Sequence, residues 1–407
     1  MMPKLVVLGG STPFTVGLID ALTAVAERLP VHELMLYGRR GGNLQLVACY
    51  AHRHLEDMGW RVQSTTEIAQ ALASATLIVH QIRYGGLEQR VAYEAFCARV
   101  GVAADETLGP AALLSAMLSV PGLRATCLAL RRYCPEAWVL NLTNPLSSVT
   151  ALMLTAGVLR CIGLCELPWV TVQEVAQVLE APAAELEWSY GGLNHRGFIY
   201  QLRHQRRDLL AELPQRLASG TLLDIAGETI ADLGAIPLKY FRLVDRPGPA
   251  AIGRASYLIK LREHILDELR ADVATSPPSL QERYLEWYPQ SVVPMIVALH
   301  AAHPSPQMVN VAREDGLVWE MKAQVCRDGV QLMPQPECNA RVAAWLRIFA
   351  RHEHAVLTAV REPTIEHILQ ALLADPSVPD QQAESIAPAL WETYQAQGAI
   401  KPGNDHV

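Results

Sequence analysis

Apolar positions in the first 165 residues alternate between two periods. Lys4–Leu8 (KLVVL) is a short unbroken run bounded by Gly9 and Gly10, the pattern of a strand covered on both faces. Val16–Leu29 follows, with Leu18, Ile19, Leu22, Val25, Ala26 and Leu29 at helical spacing. The exchange then repeats. Strands are expected at Glu33–Tyr37, Arg61–Ser64, Thr76–Gln81, Ala137–Leu142 and Cys161–Leu164. Helices are expected at Leu44–Met58, Thr66–Ala73, Val91–Val100, Ala111–Cys134 and Ser147–Ala156. Strands alternating with helices predict right-handed crossovers and a Rossmann-like, doubly wound parallel sheet. Ligands of such sheets sit beyond the carboxyl ends of the strands.

Beyond Pro168 the pattern is mainly helical, an α+β region. Helices are expected at Val170–Leu179, Leu209–Leu217, Asp224–Ala231, Ala255–Leu269, Ser291–Ala302, Arg341–Val360 and Ile365–Leu373. Glu187–Tyr200 reads as strand then loop, Val273–Leu280 as a linker, and Leu317–Val325 as sheet. Gln397–Val407 reads as a polar, disordered tail. The natural division is 1–165 for dinucleotide binding and 166–407 for substrate, metal and oligomerisation.

Composition narrows the classes. With 407 residues, 50% hydrophobic and 18% charged, the chain is a folded protein, not a disordered one. A net charge of −7 leaves no basic excess for a phosphate backbone, so nucleic acid is not an expected partner. Eight scattered cysteines without a CxxC pair suit a reducing cytoplasm. The apolar runs read as too short for a bilayer, so no membrane partner is expected either.

Candidate chemistry lies at the strand ends. In GGSTPFT, the small residues Gly9, Gly10, Ser11 and Thr12 would let the backbone approach a pyrophosphate at a helix N-terminus. After the second strand, where an acid normally holds a ribose, stand Gly38, Arg39 and Arg40. Arg39 suits a 2′-phosphate, which keeps NADP open beside NAD; a solvated basic loop is the alternative. Asn141 and Asn144 flank Thr143 before Pro145. Their amides suit sugar hydroxyls and a nicotinamide ribose, or an Asx-turn. Cys165 and His195, thirty residues apart, match no zinc-finger spacing. They read either as two metal ligands completed by substrate and water, or as a core cysteine and a hydrogen-bonded histidine.

Several stretches, taken in order, point further. They are QIRYGGLEQR (Gln81–Arg90), NLTNP (Asn141–Pro145), IGLCELP (Ile162–Pro168) and GLNHRGF (Gly192–Phe198). Looser matches are DET-G (Asp105–Gly109), IPLKYFR (Ile236–Arg242) and RASYLIKLRE (Arg254–Glu263). The sequence resembles the NAD-dependent glycosidases of glycoside hydrolase family 4, which include 6-phospho-α- and 6-phospho-β-glucosidases. The resemblance implies a lactate/malate dehydrogenase-like architecture, with Mn²⁺ or a similar divalent ion at Cys165 and His195. It implies Tyr240 as general base, and Arg90, Asn144, Asn194 and, more weakly, Arg254 at the substrate. It also implies a homodimer or homotetramer; Trp345, Leu346, Ile348 and Phe349 read as core or subunit interface. The substrate would be a small glycoside or sugar phosphate. The implied chemistry is hydride removal from C3 to NAD⁺, loss of the C2 proton, departure of the aglycone, addition of water and return of the hydride.

The sequence departs from that pattern in places. Glu166 follows the metal-site cysteine where the family carries Asp, Asn or His; its carboxyl is a candidate general acid. Ser11 replaces a glycine of the family's turn, and the ribose acid is absent. Two other functions compete: a lactate/malate-type NAD(P)-dependent dehydrogenase needing no metal, and a non-catalytic sugar or nucleotide sensor.

Overall fold

The computed structural model describes residues 3–29, 31–217, 220–245, 253–283 and 285–399. Six parallel strands form its first half: β1 (Lys4–Leu8), β2 (Glu33–Tyr37), β3 (Arg61–Thr65), β4 (Leu77–His80), β5 (Trp138–Asn141) and β6 (Cys161–Gly163). They lie in the order β3-β2-β1-β4-β5-β6, a doubly wound sheet with its switch point between β1 and β4. The helices are α1 (Thr15–Thr23), α2 (Gly41–Leu55), α3 (Ile68–Leu72), α4 (Gly86–Val100), α5 (Gly109–Tyr133), α6 (Leu146–Thr155) and α7 (Leu167–Val178). The unbroken apolar run of β1 is now explained. Leu5 and Val7 belong to one helix-covered core, Val6 and Leu8 to the other, and all four are fully buried.

The sheet does not stop at β6. Strand Ser305–Ala312 joins it antiparallel, Asn310 opposite Gly163. Val318–Cys326 follows, and then β7 (Glu187–Leu193) and β8 (Arg196–His204). One continuous sheet therefore links the dinucleotide half to the C-terminal half.

Several expectations are corrected. Glu187–Tyr200 is not strand then loop but most of an antiparallel hairpin, closed by the two-residue turn Asn194–His195. Its glycines permit this, since a Cβ on Gly192 would stand 2.2 Å from Gly197 Cα. Strand Ser305–Ala312 went unread; it forms a hairpin with the neighbouring Val318–Cys326 and reaches the distant Gly163 through Asn310. Ser291–Ala302 holds only a short helix, Val293–Ala298, preceded by a π-turn at Tyr288–Val292. Val16–Leu29 breaks after Thr23 and resumes as a 3₁₀ turn, Ala26–Arg28. Helix Asp380–Ala399 takes in the start of the expected tail, and 400–407 lie outside the described residues. Helix α5 is, by length and composition, apolar enough to cross a bilayer, where none was expected. In this fold it packs against α4, α6 and the helices Ala340–Arg361 and Asp380–Ala399.

Candidate active site

The carboxyl ends of β1, β2, β4 and β5 open onto a groove of about 310 Å³. Gly9, Ser11, Thr12, Arg39, Gln81 and Asn144 are among its lining residues. Gly10 is not. Its N–H is given to the Tyr37 carbonyl at 2.7 Å, and Gly9 donates to the same oxygen at 3.1 Å. The turn thus spends those amides on β2, and contact with a ligand falls to Ser11, Thr12 and the backbone surface. Asn141 is also corrected. Fully buried as the last residue of β5, it lies 2.8 Å through its Oδ1 from His80 Nδ1 and accepts from Thr143 N–H at 3.0 Å, while its amide donates to Thr150. It shapes the turn toward Asn144 and does not face the groove. Burial pulls His80 down to about 4, so it is neutral.

A second centre lies at the hairpin turn. His195 has φ +64°, a left-handed backbone unusual for a side chain larger than glycine. The residue sits in the two-residue turn closed by the Leu193–Arg196 pair, and its imidazole meets Thr107 and Tyr240. Thr107 Oγ1 stands 2.6 Å from its Nδ1, leaving Nε2 as the free ring nitrogen. The Tyr240 ring stacks on the imidazole at 4.2 Å and 15°. Burial pulls His195 down to about 3 and keeps it neutral, the form that binds metal. Tyr240 is pushed well above its ordinary value by burial, reinforced by Asp105, Glu106, Cys165 and Glu166 around it. The Lys239 ammonium lies 5.4 Å from the same ring.

Cys165 is buried just before α7, with the Asn194 side chain within hydrogen-bonding reach. Burial, Glu166 and Glu320 push its thiol upward. Glu166 is itself raised by burial. The Asn194 amide donates to Glu320 at 3.3 Å, while its Oδ1 is buried with no partner among the described residues.

Arg90 and Asn144 converge on one carboxylate. Glu106 takes the Asn144 amide at 3.0 Å, Arg83 at 2.7 Å and the Arg90 guanidinium. Burial opposes its charge, but the two arginines outweigh it and hold Glu106 well below the usual carboxylate range. Its neighbour Asp105, pushed up to about 6 by burial, accepts the Thr107 amide at 2.8 Å. Arg254 is not among the groove residues. It stands exposed at the start of helix Arg254–Ala271, its guanidinium over the Tyr257 ring at 5.2 Å.

Sequence reading missed three residues here. Glu106 and Thr107 lay within the DET-G stretch, but nothing local said what they touch. Glu320 sits mid-strand, fully buried, and is raised to about 7 by burial while held by Tyr190, Asn310 and Asn194. A lone acid among alternating strand residues carries no signal.

These donors fit a divalent cation. An imidazole and a thiol share surroundings rich in acids, and the orphaned Asn194 oxygen lies beside them. Among the described residues no three His, Cys, Asp or Glu side chains are arranged as a metal cage, so two protein donors would leave positions for other ligands.

Comparison with known proteins agrees with the fold. The family described as "Family 4 glycosyl hydrolase" matches residues 4–181, and its C-terminal domain matches residues 190–378. A probable 6-phospho-beta-glucosidase of Bacillus subtilis (strain 168) is 24% identical over 97% of this chain and 96% of its own length. The Thermotoga maritima 6-phospho-beta glucosidase, solved with manganese, NAD⁺ and glucose-6-phosphate, superposes with a TM-score of 0.85 at 21% identity, covering 97% of this chain and 98% of that one. The lactate dehydrogenase of Cryptosporidium parvum, solved with lactic acid and its dinucleotide, gives 0.53 at 13% identity, covering 89% and 99%. The expected dehydrogenase-like architecture is thus found.

Proposed function

The chain belongs to family 4 of the glycosyl hydrolases, and on that premise we propose that it cleaves a small glycoside, phosphorylated or not, using a nicotinamide dinucleotide and a divalent metal. The observation that carries this reading is the stack of Tyr240 on His195, with Cys165, Glu166, Asp105 and Glu106 around the phenol. Burial and these acids together push the phenol up, and a cation held beside it would offset both.

Cys165 and His195 would hold that cation, Mn²⁺ or a similar ion. When bound, the metal supplies Lewis-acid polarisation and the dinucleotide a reversible hydride acceptor. The chain's own residues do the rest. Thr107 fixes the imidazole with Nε2 outward. Tyr240 would take a proton at its phenolic oxygen, with Lys239 beside it to favour the phenolate. Glu166, whose carboxyl burial pushes upward, would deliver a proton to the departing group. Asn144 and Arg90, set by their shared hold on Glu106, would orient the sugar.

Ser11, Thr12 and Arg39 would face the dinucleotide. A homodimer or homotetramer is part of the proposal, supported by half-exposed Ile348 on helix Ala340–Arg361. Eight free cysteines suit the cytoplasm.

The test is a screen of aryl glycosides, with and without a 6-phosphate, supplemented with dinucleotide and Mn²⁺. Metal- and dinucleotide-dependent release of the aglycone is expected, without net NADH formation. Tyr240→Phe should abolish turnover while dinucleotide still binds. Net oxidation without metal would favour the dehydrogenase reading; wild-type turnover in Tyr240→Phe would remove Tyr240 as base.

A further inference from the structure

The far end of the groove carries a specificity that the proposed function leaves open. At the carboxyl end of β2, an acid that accepts two ribose hydroxyls would select NAD⁺, whereas arginine there accommodates a 2′-phosphate. In this chain that acid is sterically excluded. A Cβ on Gly38 would stand 2.5 Å from Ser11 Cβ, 2.6 Å from its Oγ and 2.8 Å from its backbone nitrogen. The Ser11 side chain fills the space into which a carboxylate at 38 would project.

The next two residues supply the opposite charge. Arg39 and Arg40 are exposed, and both line the groove with Ser11 and Asn43. Arg39 has no ion pair among the described residues. Arg40 contacts Glu88 only loosely, at 3.7 Å, and Glu88 is also held by Arg262 at 3.2 Å. An incoming anion could therefore recruit Arg40 without stranding Glu88. Both arginines adjoin the start of α2, where Gly41 and Gly42 leave open space and the first turn has no acid. Asn43 adds an amide donor on the same rim. No carboxylate among the lining residues other than Glu88 opposes them.

We infer that this groove selects the 2′-phosphorylated dinucleotide, NADP⁺, over NAD⁺, with Arg39 and Arg40 gripping the phosphate and Ser11 closing the place of the ribose acid. The inference rests on the groove being a dinucleotide site, as proposed above. It concerns only the adenosine end, remote from the hydride-accepting ring.

Calorimetric titration of the full chain with NADP⁺ and with NAD⁺, at fixed ionic strength and without sugar, tests it. NADP⁺ should bind about tenfold or more tightly, the scale of one charge-assisted contact. Arg39→Ala and Arg40→Ala should each bring the ratio of the two affinities toward one. Raising salt should weaken NADP⁺ more than NAD⁺. Equal affinities, or tighter NAD⁺, would overturn the inference and leave the glycosidase reading standing. So would arginine substitutions that weaken both dinucleotides in equal proportion. Failure of both dinucleotides to bind would take the proposed function down with it.

Discussion

Thr107 offers a direct way to probe the proposed metal site without touching either donor. Its hydroxyl lies 2.6 Å from His195 Nδ1, and both residues are buried. If Nε2 faces the metal, Nδ1 carries the proton and Thr107 accepts it. Thr107→Val keeps the shape but leaves that N–H buried without a partner, a cost of about 1–3 kcal/mol. The ring is already held in a left-handed backbone and backed by Tyr240 at 4.2 Å, so it has little room to find another acceptor. That cost is equivalent to a loss of about 5- to 150-fold in Mn²⁺ affinity, the usual range for removing a ligand's supporting partner. Titration of Mn²⁺ by calorimetry or by its free-ion resonance signal reads this directly. Thr107→Ser should restore most of the affinity, since the hydroxyl returns. Unchanged Mn²⁺ binding in Thr107→Val, with a normal melting curve, would refute the assignment of His195 as a ligand.

Other outcomes follow from the buried charges. His80 is lowered to about 4, against about 6.5 for a free histidine, so the unfolded chain binds more protons between those values. Stability should therefore fall as pH drops from about 6.5 toward 4, and His80→Gln should reduce that slope by up to about 1.4 kcal/mol per pH unit in urea titrations. Glu106 and Asp375, both held low, add stability that is present above about pH 4 and lost on further acidification. Arg196 is buried against Glu353, with His352 at 3.1 Å, so Arg196→Met strands a buried carboxylate and should cost about 3–5 kcal/mol by denaturant melt. A loss below about 1 kcal/mol would mean that Glu353 is simply protonated in the variant.

Much of the first half was legible because its information is local. A strand covered on both faces must be apolar at every position, and a helix covering it must repeat its apolar residues every three or four; β1, β2, β4 and β5 with their helices announce themselves by that rule. The strand-end motifs could be located for the same reason, since a turn beyond a strand is adjacent in sequence. What sequence could not decide was which side chains meet. Asn141 and Asn144 are three residues apart and chemically identical, yet one is consumed inside the sheet by His80 and Thr150 while the other reaches Glu106. Arg90 and Arg254 both looked suited to an anionic sugar, but only the first converges on the Glu106 cluster. Thr107 meets His195 across 88 residues, and Glu320 reaches Asn194 across 126 through an antiparallel pairing that no local period encodes. Local periodicity determines whether a segment is strand or helix, because backbone geometry and one-sided burial act within a few residues. Only the assembled sheet decides which donors, acids and arginines share a cavity, because that depends on register between segments far apart along the chain.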